Sequence, residues 1–252
     1  MNNQELKQKY DNIFKGDASN FFTSDGFYEA LSIAACCDWK NKKVLDIGCG
    51  EGRLASMIAG AAASEVIGID YSAEAIINAS NRFNLPNLQF ITNDYRSVEG
   101  KFDLVTMQGV MEHFDNPWEE LQHIIENIVS NEGMVVTSSP SFLNPRGYVW
   151  MTLAKLFNVP MSLTDLHFIC PFDMINFCDE HGYGLEYESI YQEWGCGKTM
   201  LIDLKKRLTN ALRDANMNNT KVDSLLDWLS QASEFFTQDN DSGAIVIYKI
   251  TK

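Results

Sequence analysis

Short apolar runs rich in β-branched residues alternate with amphipathic stretches over the first half of the chain. The short runs have the length and bounding residues of strands, whereas the amphipathic stretches carry apolar residues at helical spacing. Strands that alternate with helices indicate a parallel sheet covered by helices on both faces. The predicted strands are 44–47, 66–70, 88–92, 102–108 and 134–138, and the predicted helices are 53–63, 72–83 and 117–129.

The alternation loosens after residue 140. A helix at 171–180 and strands at 185–191 and 244–250 are still predicted, but the stretches 141–169 and 192–242 do not belong to the pattern. The second stretch carries apolar residues at helical spacing, which core packing explains. We therefore predict two insertions packed on the edge of the sheet. The predicted domain organisation is an N-terminal helical cap over 1–42 and a main domain over 43–252.

Composition restricts the classes of partner. The 252 residues include 20 Lys and Arg against 34 Asp and Glu, a net charge of −14, and 45% of them are hydrophobic. Nucleic-acid binding and polybasic membrane sites need clustered Lys and Arg, so neither partner is expected. The polar first twenty residues and the absence of a long apolar run predict neither a signal peptide nor a spanning helix. Six cysteines without a C-x-x-C pair indicate a reduced, cytoplasmic protein without a zinc site.

A glycine-rich loop follows the first predicted strand. Its sequence is Asp46-Ile47-Gly48-Cys49-Gly50-Glu51-Gly52, and it opens the helix that follows. Glycines in such a turn let the backbone approach a ligand closely. The dinucleotide fingerprint G-x-G-x-x-G needs its third glycine at position 53, which is Arg53. This departure counts against an NAD-dependent oxidoreductase, which stays as a less favoured alternative.

Carboxylates end the next two predicted strands. Asp70 can accept hydrogen bonds from both hydroxyls of a ribose, or it can cap the helix that follows. Asp94 can accept from the exocyclic amino group of a purine while the adjacent Tyr95 ring lies on the purine face. For Asp94 alone, a turn residue is the simpler interpretation.

The fourth predicted strand completes a recognisable order of motifs. It reads FDLVTMQ and continues as GVMEHF, followed by the helix and strand of NPWEELQHIIENIVSNEGMVVTSSP. At these motifs the chain resembles the class I S-adenosylmethionine-dependent methyltransferases, in the style of the branch that contains the ubiquinone-pathway O-methyltransferases. The resemblance covers about 42–191 and 244–250. It implies an α/β, Rossmann-like, doubly wound sheet of seven strands, the last antiparallel, with helical insertions. It also implies S-adenosyl-L-methionine as the cofactor.

The resemblance implies a role for each matching position. Asp46, Gly48 and Gly50 would hold the methionine part of the cofactor and Asp70 its ribose. Asp94 and Tyr95 would contact adenine, and Gln108 and its neighbours would line the methionyl end. The complete implied cofactor-binding set is Asp46, Gly48, Cys49, Gly50, Asp70, Tyr71, Asp94, Tyr95, Gln108 and Gly109.

Two histidines are candidates for a general base. His113 follows the fourth strand, whose end adjoins the methyl group, although it can equally anchor its loop. His167 lies in the first insertion and reaches the acceptor only if that insertion folds inward. His123 and His181, inside a helix and at a helix end, are better interpreted as structural residues.

The most favoured function is methyl transfer to a hydroxyl of a small molecule. We expect the two insertions to form a lid over the acceptor. Stretch 192–242 is far longer than the usual connection in the family, so the acceptor does not follow from any relative. A protein methyltransferase and a non-catalytic S-adenosylmethionine-binding protein stay open as alternatives, as does the oligomeric state. The aromatic residues expected to line the acceptor cavity are Phe142, Tyr148, Trp150 and Trp194.

Overall fold

The computed structural model describes residues 26–159 and 165–252. Most of the predicted N-terminal cap lies outside these residues, as does part of the first insertion. The described chain forms two compact units. The first comprises the residues up to Ser139 together with Ile175–Glu186 and Tyr248–Lys252. The second comprises Pro140–Met174 and Tyr187–Ile247.

The described residues contain a seven-stranded sheet with the order β3-β2-β1-β4-β5-β7-β6. β1 pairs in parallel with β2 and β4, β2 pairs in parallel with β3, and β4 pairs in parallel with β5. This order confirms the predicted doubly wound α/β fold, because the chain turns outward in both directions from β1. The strands are β1 Lys43–Ile47, β2 Glu65–Asp70, β3 Leu88–Thr92, β4 Phe102–Gln108, β5 Val129–Pro140, β6 Gly184–Ile190 and β7 Ile245–Thr251.

The last strand is antiparallel, as predicted. A Cβ on Gly184, at the start of β6, would lie 2.4 Å from Oγ1 of Thr251, at the end of β7. Conversely, a Cβ on Gly243, just before β7, would lie 2.3 Å from the carbonyl oxygen of Ile190, at the end of β6. Residue numbers therefore rise along one strand as they fall along its neighbour.

The helices of the first unit begin close to their predicted positions. Ser72 caps α3 as predicted, because its Oγ accepts a hydrogen bond of 3.3 Å from the Ala75 N–H. Pro117 occupies the first turn of α4, where its missing N–H costs no helical hydrogen bond. The helices are α1 Phe27–Ala35, α2 Arg53–Gly60, α3 Ala73–Arg82 and α4 Pro117–Asn127, and α6 Pro171–His181 spans both units.

The connection between α4 and β5 differs from the prediction. The helix was expected to reach about residue 129, with a turn at Gly133, but β5 already begins at Val129 and runs through Gly133. A Cβ on Gly133 would lie 2.6 Å from Cγ1 of Val129 and 2.8 Å from the Asp103 carbonyl oxygen. The register between β4 and β5 shifts beside this point. Gly133 therefore permits a close backbone approach at a strand irregularity and does not form a turn.

Helices dominate the second unit and bury the helix-spaced apolar residues of the second insertion. They are α5 Pro145–Phe157, α7 Gln192–Gly195, α8 Lys198–Asp214 and α9 Val222–Ala232. The core-packing interpretation of these stripes is thereby confirmed. The buried cluster consists of Phe142, Trp150, Cys170, Met200, Leu204, Leu208, Leu212, Val222, Leu226 and Leu229.

The aromatic residues expected to line an acceptor cavity differ in their burial. Phe142 and Trp150 pack in the core of the second unit, where burial of their apolar surface stabilises the fold. Tyr148 is 59% exposed on α5. The half-buried Trp194 ring faces the Arg146 guanidinium, with 4.9 Å between the guanidinium carbon and the ring centroid. The lining of an acceptor cavity by these four residues stays a prediction.

Within the described ranges, no helix combines the length and apolarity needed to cross a bilayer. All six cysteines lie in these ranges and have free thiols, as the sequence predicted.

Candidate active site

The loops after β1 and β4 meet at the centre of the sheet. β1 lies between β2 and β4 in the sheet. The chain leaves the carboxyl end of β1 toward β2 and the carboxyl end of β4 toward β5, so the two loops turn to opposite sides. Ligands bind at such a topological switch point in open α/β sheets. A Cβ on Gly48 would lie 2.6 Å from Cγ2 of Val110, which shows how closely the two loops approach.

The glycine loop has a backbone shape that side chains disfavour. Gly48, Gly50 and Gly52 have φ angles of 68°, 51° and 78°, in the left-handed region. The Gly48 and Cys49 N–H groups donate to the Ile69 carbonyl oxygen at 2.8 and 3.1 Å, which fixes the loop against β2. A glycine-rich turn that opens a helix in this way is typical of loops that bind a ligand through their backbone N–H groups.

Asp70 connects the glycine loop to the start of α3. Its Oδ2 accepts from the Gly50 N–H at 3.0 Å, and its Oδ1 accepts from the Ser72 N–H at 2.8 Å. A carboxylate oxygen can accept more than one hydrogen bond, so these contacts do not conflict with the ribose role, which stays a prediction. The helix-cap and ribose interpretations are compatible, because Ser72 supplies the side-chain cap.

The Asp46 carboxyl group is almost completely buried, and one of its two oxygens has a hydrogen-bond partner. Its Oδ1 accepts from the Thr106 hydroxyl at 2.6 Å, while Oδ2 has no hydrogen-bond partner of normal geometry among the described residues. Burial raises the Asp46 pKa to about 7, against the lowering effect of the Thr106 hydrogen bond; nearby Asp70 raises it further, and the Ala55 N–H opposes. A cationic amine such as that of S-adenosylmethionine fits this carboxylate, because it would stabilise the ionised form.

Asp94 and Tyr95 differ in accessibility. The exposed Asp94 accepts from the Arg96 N–H at 2.9 Å and caps a short 3-10 turn, in agreement with its turn interpretation. Tyr95 is 8% exposed; its hydroxyl donates to the Glu120 carboxylate and its ring packs 5.9 Å from that of Phe114. Burial and Glu120 raise the Tyr95 pKa. Asp94 is thus the more available of the two predicted adenine contacts, and the Tyr95 contact stays a prediction.

A hydrogen-bond network ties α1 to the end of β5. The Ser138 hydroxyl donates to Glu29 Oε1 at 2.6 Å, and the Gln108 amide donates to the Gly26 carbonyl oxygen at 3.3 Å. Gly109, with a φ of 62°, donates its N–H to the Ser138 carbonyl oxygen at 3.1 Å. Burial raises the Glu29 pKa, which the hydrogen bonds from Ser138 and Gln108 oppose.

Glu29 and Glu112 lie beside the candidate site, and the sequence did not predict their positions there. Glu29 has the sequence signature of an ordinary acid in the first turn of a helix, so only its partner reveals it. Glu112 is 4% exposed and accepts from the Ser139 hydroxyl at 3.2 Å. Glu112 directly precedes His113, a candidate base, and this position in the sequence could have indicated that it lies near the site.

The candidate bases belong to different units. The half-buried His113 lies in the 3-10 turn Met111–His113, directly after β4. The half-buried His167 lies in the second unit. His123 contacts the Asn127 amide on α4, and His181 contacts the Phe177 carbonyl oxygen, which agrees with structural roles for these two.

The two remaining predicted cofactor residues lie within the glycine loop and directly after β2. Burial raises the Cys49 pKa, which disfavours the thiolate form, so small size is the simpler reason for a cysteine in the loop. Tyr71 is half-buried and follows Asp70 at the end of β2.

Comparison with known proteins identifies a family. The family model described as a methyltransferase domain matches residues 38–176, which is more than half of the chain. A ubiquinone biosynthesis O-methyltransferase of Glaesserella parasuis is 28% identical over 205 residues, which cover 73% of this chain and 86% of the relative. Its counterpart in Neisseria meningitidis serogroup C is 31% identical over 180 residues, or 64% of this chain and 75% of the relative.

Solved structures agree on the fold. A chain from the complex of the Haloferax volcanii Trm112 methyltransferase activator with a putative methyltransferase aligns with a TM-score of 0.63 at 14% identity. The alignment covers 98% of this chain and 96% of that one. The [4+2]-cyclase SpnF also aligns with a TM-score of 0.63 at 14% identity, over 99% of this chain and 95% of its own. Because these identities are low, the likeness extends to the fold alone.

Proposed function

We propose, from the premise that this chain belongs to the methyltransferase-domain family of S-adenosylmethionine-dependent enzymes, that it transfers a methyl group to a hydroxyl of a small molecule. The observation that carries the proposal is the crevice between β1 and β4. Its glycine loop has left-handed φ angles, and the Asp70 and Asp94 carboxylates lie at and just after the ends of the next two strands, β2 and β3. The hydroxyl acceptor is supported by the relatives, which are O-methyltransferases.

The cofactor, when bound, supplies an activated methyl group, and the chain's own residues hold it in place. In our proposal the buried Asp46 carboxylate accepts from the cofactor's ammonium group, and Asp70 accepts from its ribose hydroxyls. Asp94 accepts from the adenine amino group. The glycines give the loop its left-handed turns, and at Gly48 and Gly52 the space of a Cβ is already occupied by the Val110 and Phe90 side chains.

The protein must also position the acceptor and remove its proton. Holding two reactants in line contributes as much as roughly 7–11 kcal/mol to a displacement. Removal of a hydroxyl proton by a positioned base contributes about 10²–10⁴ in rate. We assign this base to His113, because it directly follows β4, whose end forms one side of the crevice. His167 is the second candidate.

We also propose that the second unit determines the choice of acceptor. It contains the described parts of both predicted insertions, and none of its side chains belongs to the proposed cofactor-binding set. The predicted lid role of the insertions is part of this proposal. The six free cysteines support a cytoplasmic location for the reaction.

Methyl transfer from labelled S-adenosylmethionine tests the proposal directly. The purified chain is incubated with separate panels of phenols, quinol precursors, hydroxylated glycans and peptides, and labelled products are identified by mass spectrometry. We expect a methyl ether of a small hydroxylated compound. The matched control is Asp70→Ala, which should transfer less methyl at low cofactor concentration.

Other outcomes favour the alternatives. A labelled peptide would favour a protein methyltransferase. Tight S-adenosylmethionine binding without transfer to any panel would favour a non-catalytic binding protein. Retention of a nicotinamide cofactor in place of S-adenosylmethionine in equilibrium dialysis would favour an oxidoreductase and contradict the proposal.

A further inference from the structure

Three sulfur atoms lie together in the first unit, outside the proposed cofactor crevice. Cys36 ends α1, Cys37 follows it, and Met134 lies in β5. The two thiol sulfurs are 3.5 Å apart, and the Cys37 sulfur is 4.0 Å from the Met134 thioether sulfur. All three side chains are partly accessible to solvent. The cluster therefore brings together two thiols and a thioether that a solute can reach.

We propose that Cys36, Cys37 and Met134 form a binding site for a soft monovalent metal ion, copper(I). Thiolate and thioether sulfurs are the ligands that select Cu(I) among the biological metals. An ion at the centre of three sulfurs, with bonds of about 2.3 Å, gives a triangle with sides of about 4.0 Å. Two sides of this triangle are observed, at 3.5 Å between the two thiol sulfurs and 4.0 Å between the Cys37 and Met134 sulfurs, and both are close to the required length.

The charge of the site is small once the ion is bound. Two thiolates and one Cu(I) carry a net charge of −1, and one ammonium group, that of Lys249, and one carboxylate, that of Glu186, act electrostatically on Cys37. Lys249 is itself held by Glu186 in β6 through an ion pair. On binding, the two thiols release their protons to solvent and three copper–sulfur bonds form. The metal keeps its oxidation state, so no oxidant or reductant takes part.

The thioether sets this cluster apart from commoner metal sites. In the described ranges, no three His, Cys, Asp or Glu side chains are grouped in a way that could hold a metal. A hard or borderline ion would lack a third strong ligand here, whereas Cu(I) accepts the Met134 sulfur. The Cys pair precedes β1, and the glycine loop follows it, so the cluster and the crevice lie at opposite ends of that strand. Metal binding is thus separable from cofactor binding.

An anaerobic titration tests the proposal on the full chain. The protein is first reduced, because a disulfide between Cys36 and Cys37 would remove the ligands. Copper(I), added as its acetonitrile complex, is then partitioned against a chromophoric Cu(I) chelator. We expect one tightly bound equivalent per chain, with S-adenosylhomocysteine affinity unchanged. Copper X-ray absorption should count three sulfur neighbours.

Variants identify the ligands. The double variant Cys36→Ser/Cys37→Ser should lose the tight equivalent, and Met134→Leu should weaken binding at least about tenfold, as loss of a supporting ligand does. Met217→Leu in the second unit is the matched methionine control and should bind like the wild type. Far-UV circular dichroism checks that each variant is folded. Wild-type affinity in the double variant, unchanged affinity in Met134→Leu, or two sulfur neighbours in place of three would each overturn the site.

Discussion

Asp46 combines a proposed role in cofactor binding with an expected cost to stability. Its pKa is raised to about 7 from an ordinary value of 3.8, so the unfolded chain releases this proton more readily than the folded chain. The contribution of Asp46 to stability is therefore lost as pH rises from about 4 through 7. We expect Asp46→Asn, which keeps an acceptor for Thr106, to be more stable than the wild type by roughly 2–4 kcal/mol at pH 8. Urea unfolding at pH 5 and pH 8 measures the gain, which should be smaller at pH 5.

The same variant should bind S-adenosylmethionine more weakly. Loss of a hydrogen bond to a charged group costs about 1.5–3 kcal/mol, or roughly 10–100-fold in affinity. Calorimetric titration of wild type and variant measures the loss. A variant that is neither stabilised at pH 8 nor weakened in binding would contradict the interpretation of Asp46 as an ionised ligand in a buried site.

Asp70→Ala separates the ribose role from the structural role of this carboxylate. We expect cofactor affinity to fall by about 1.5–3 kcal/mol, because hydrogen bonds to a charged group are lost. Ser72→Ala is the matched control, since it removes the α3 cap and leaves the Asp70 carboxylate in place. Calorimetry with S-adenosylhomocysteine compares them. Equal losses of affinity in the two variants would assign Asp70 a structural role only.

His113→Ala tests the proposed base. The maximal rate of transfer should fall by about 10²–10⁴, while cofactor affinity stays close to that of the wild type. The wild-type rate should also decline at low pH as the imidazole becomes protonated. His181→Ala, at the end of α6, where the ring contacts the Phe177 carbonyl oxygen, is the control and should transfer normally. A His113 variant with near-normal turnover, or one without cofactor affinity, would leave His113 as a loop anchor.

At the scale of elements, a buried ion pair connects α5 and α8. Arg146 Nε lies 2.8 Å from Asp203 Oδ2, and each residue is only 2% exposed. We expect Asp203→Ala to destabilise the protein by about 3–5 kcal/mol, because it leaves a buried guanidinium without its partner. The double variant Arg146→Met/Asp203→Leu should recover most of that loss. Urea denaturation measures both; a double variant as unstable as Asp203→Ala would show that packing around the pair matters more than its charge.

The helices and strands were predicted well where the sequence signal comes from residues close together in the chain. The Ser72 cap and the parallel strands follow from residues close in the chain, which periodicity and capping report directly. The start of β5 was missed because Gly133 has the same sequence signature in a turn as in a strand irregularity. What distinguishes them is contact with Asp103, on another strand.

The candidate site follows the same rule. The glycine loop and Asp70 were predictable, because each lies at a strand end and the motif spans few residues. Glu29 was not, since its partner Ser138 is 109 residues away. Arg146 and Asp203 are 57 residues apart, and their ion pair could not be predicted from the sequence either. Hydrogen bonds that depend on tertiary packing leave no trace in periodicity or spacing.

For the whole molecule, ligand binding should raise the melting temperature. S-adenosylhomocysteine at about 100 times its dissociation constant should add about 2.7 kcal/mol to the stability of the folded state. For a chain of 252 residues this corresponds to an increase of roughly 5–10 °C. Differential scanning calorimetry measures it, with Asp70→Ala at the same ligand concentration as the control. An equal increase in that variant would place the ligand away from Asp70.

The division of the chain between the units also has a consequence for synthesis. Most of the first unit, up to Ser139, leaves the ribosome early, yet Tyr248–Lys252 belongs to the same unit. The Tyr248 side chain is fully buried. The nascent first unit therefore stays incomplete, with the place of β7 in the sheet unfilled, for as long as the entire second unit is being translated. A ribosome that stops within the second unit releases a chain whose first unit is also unfinished.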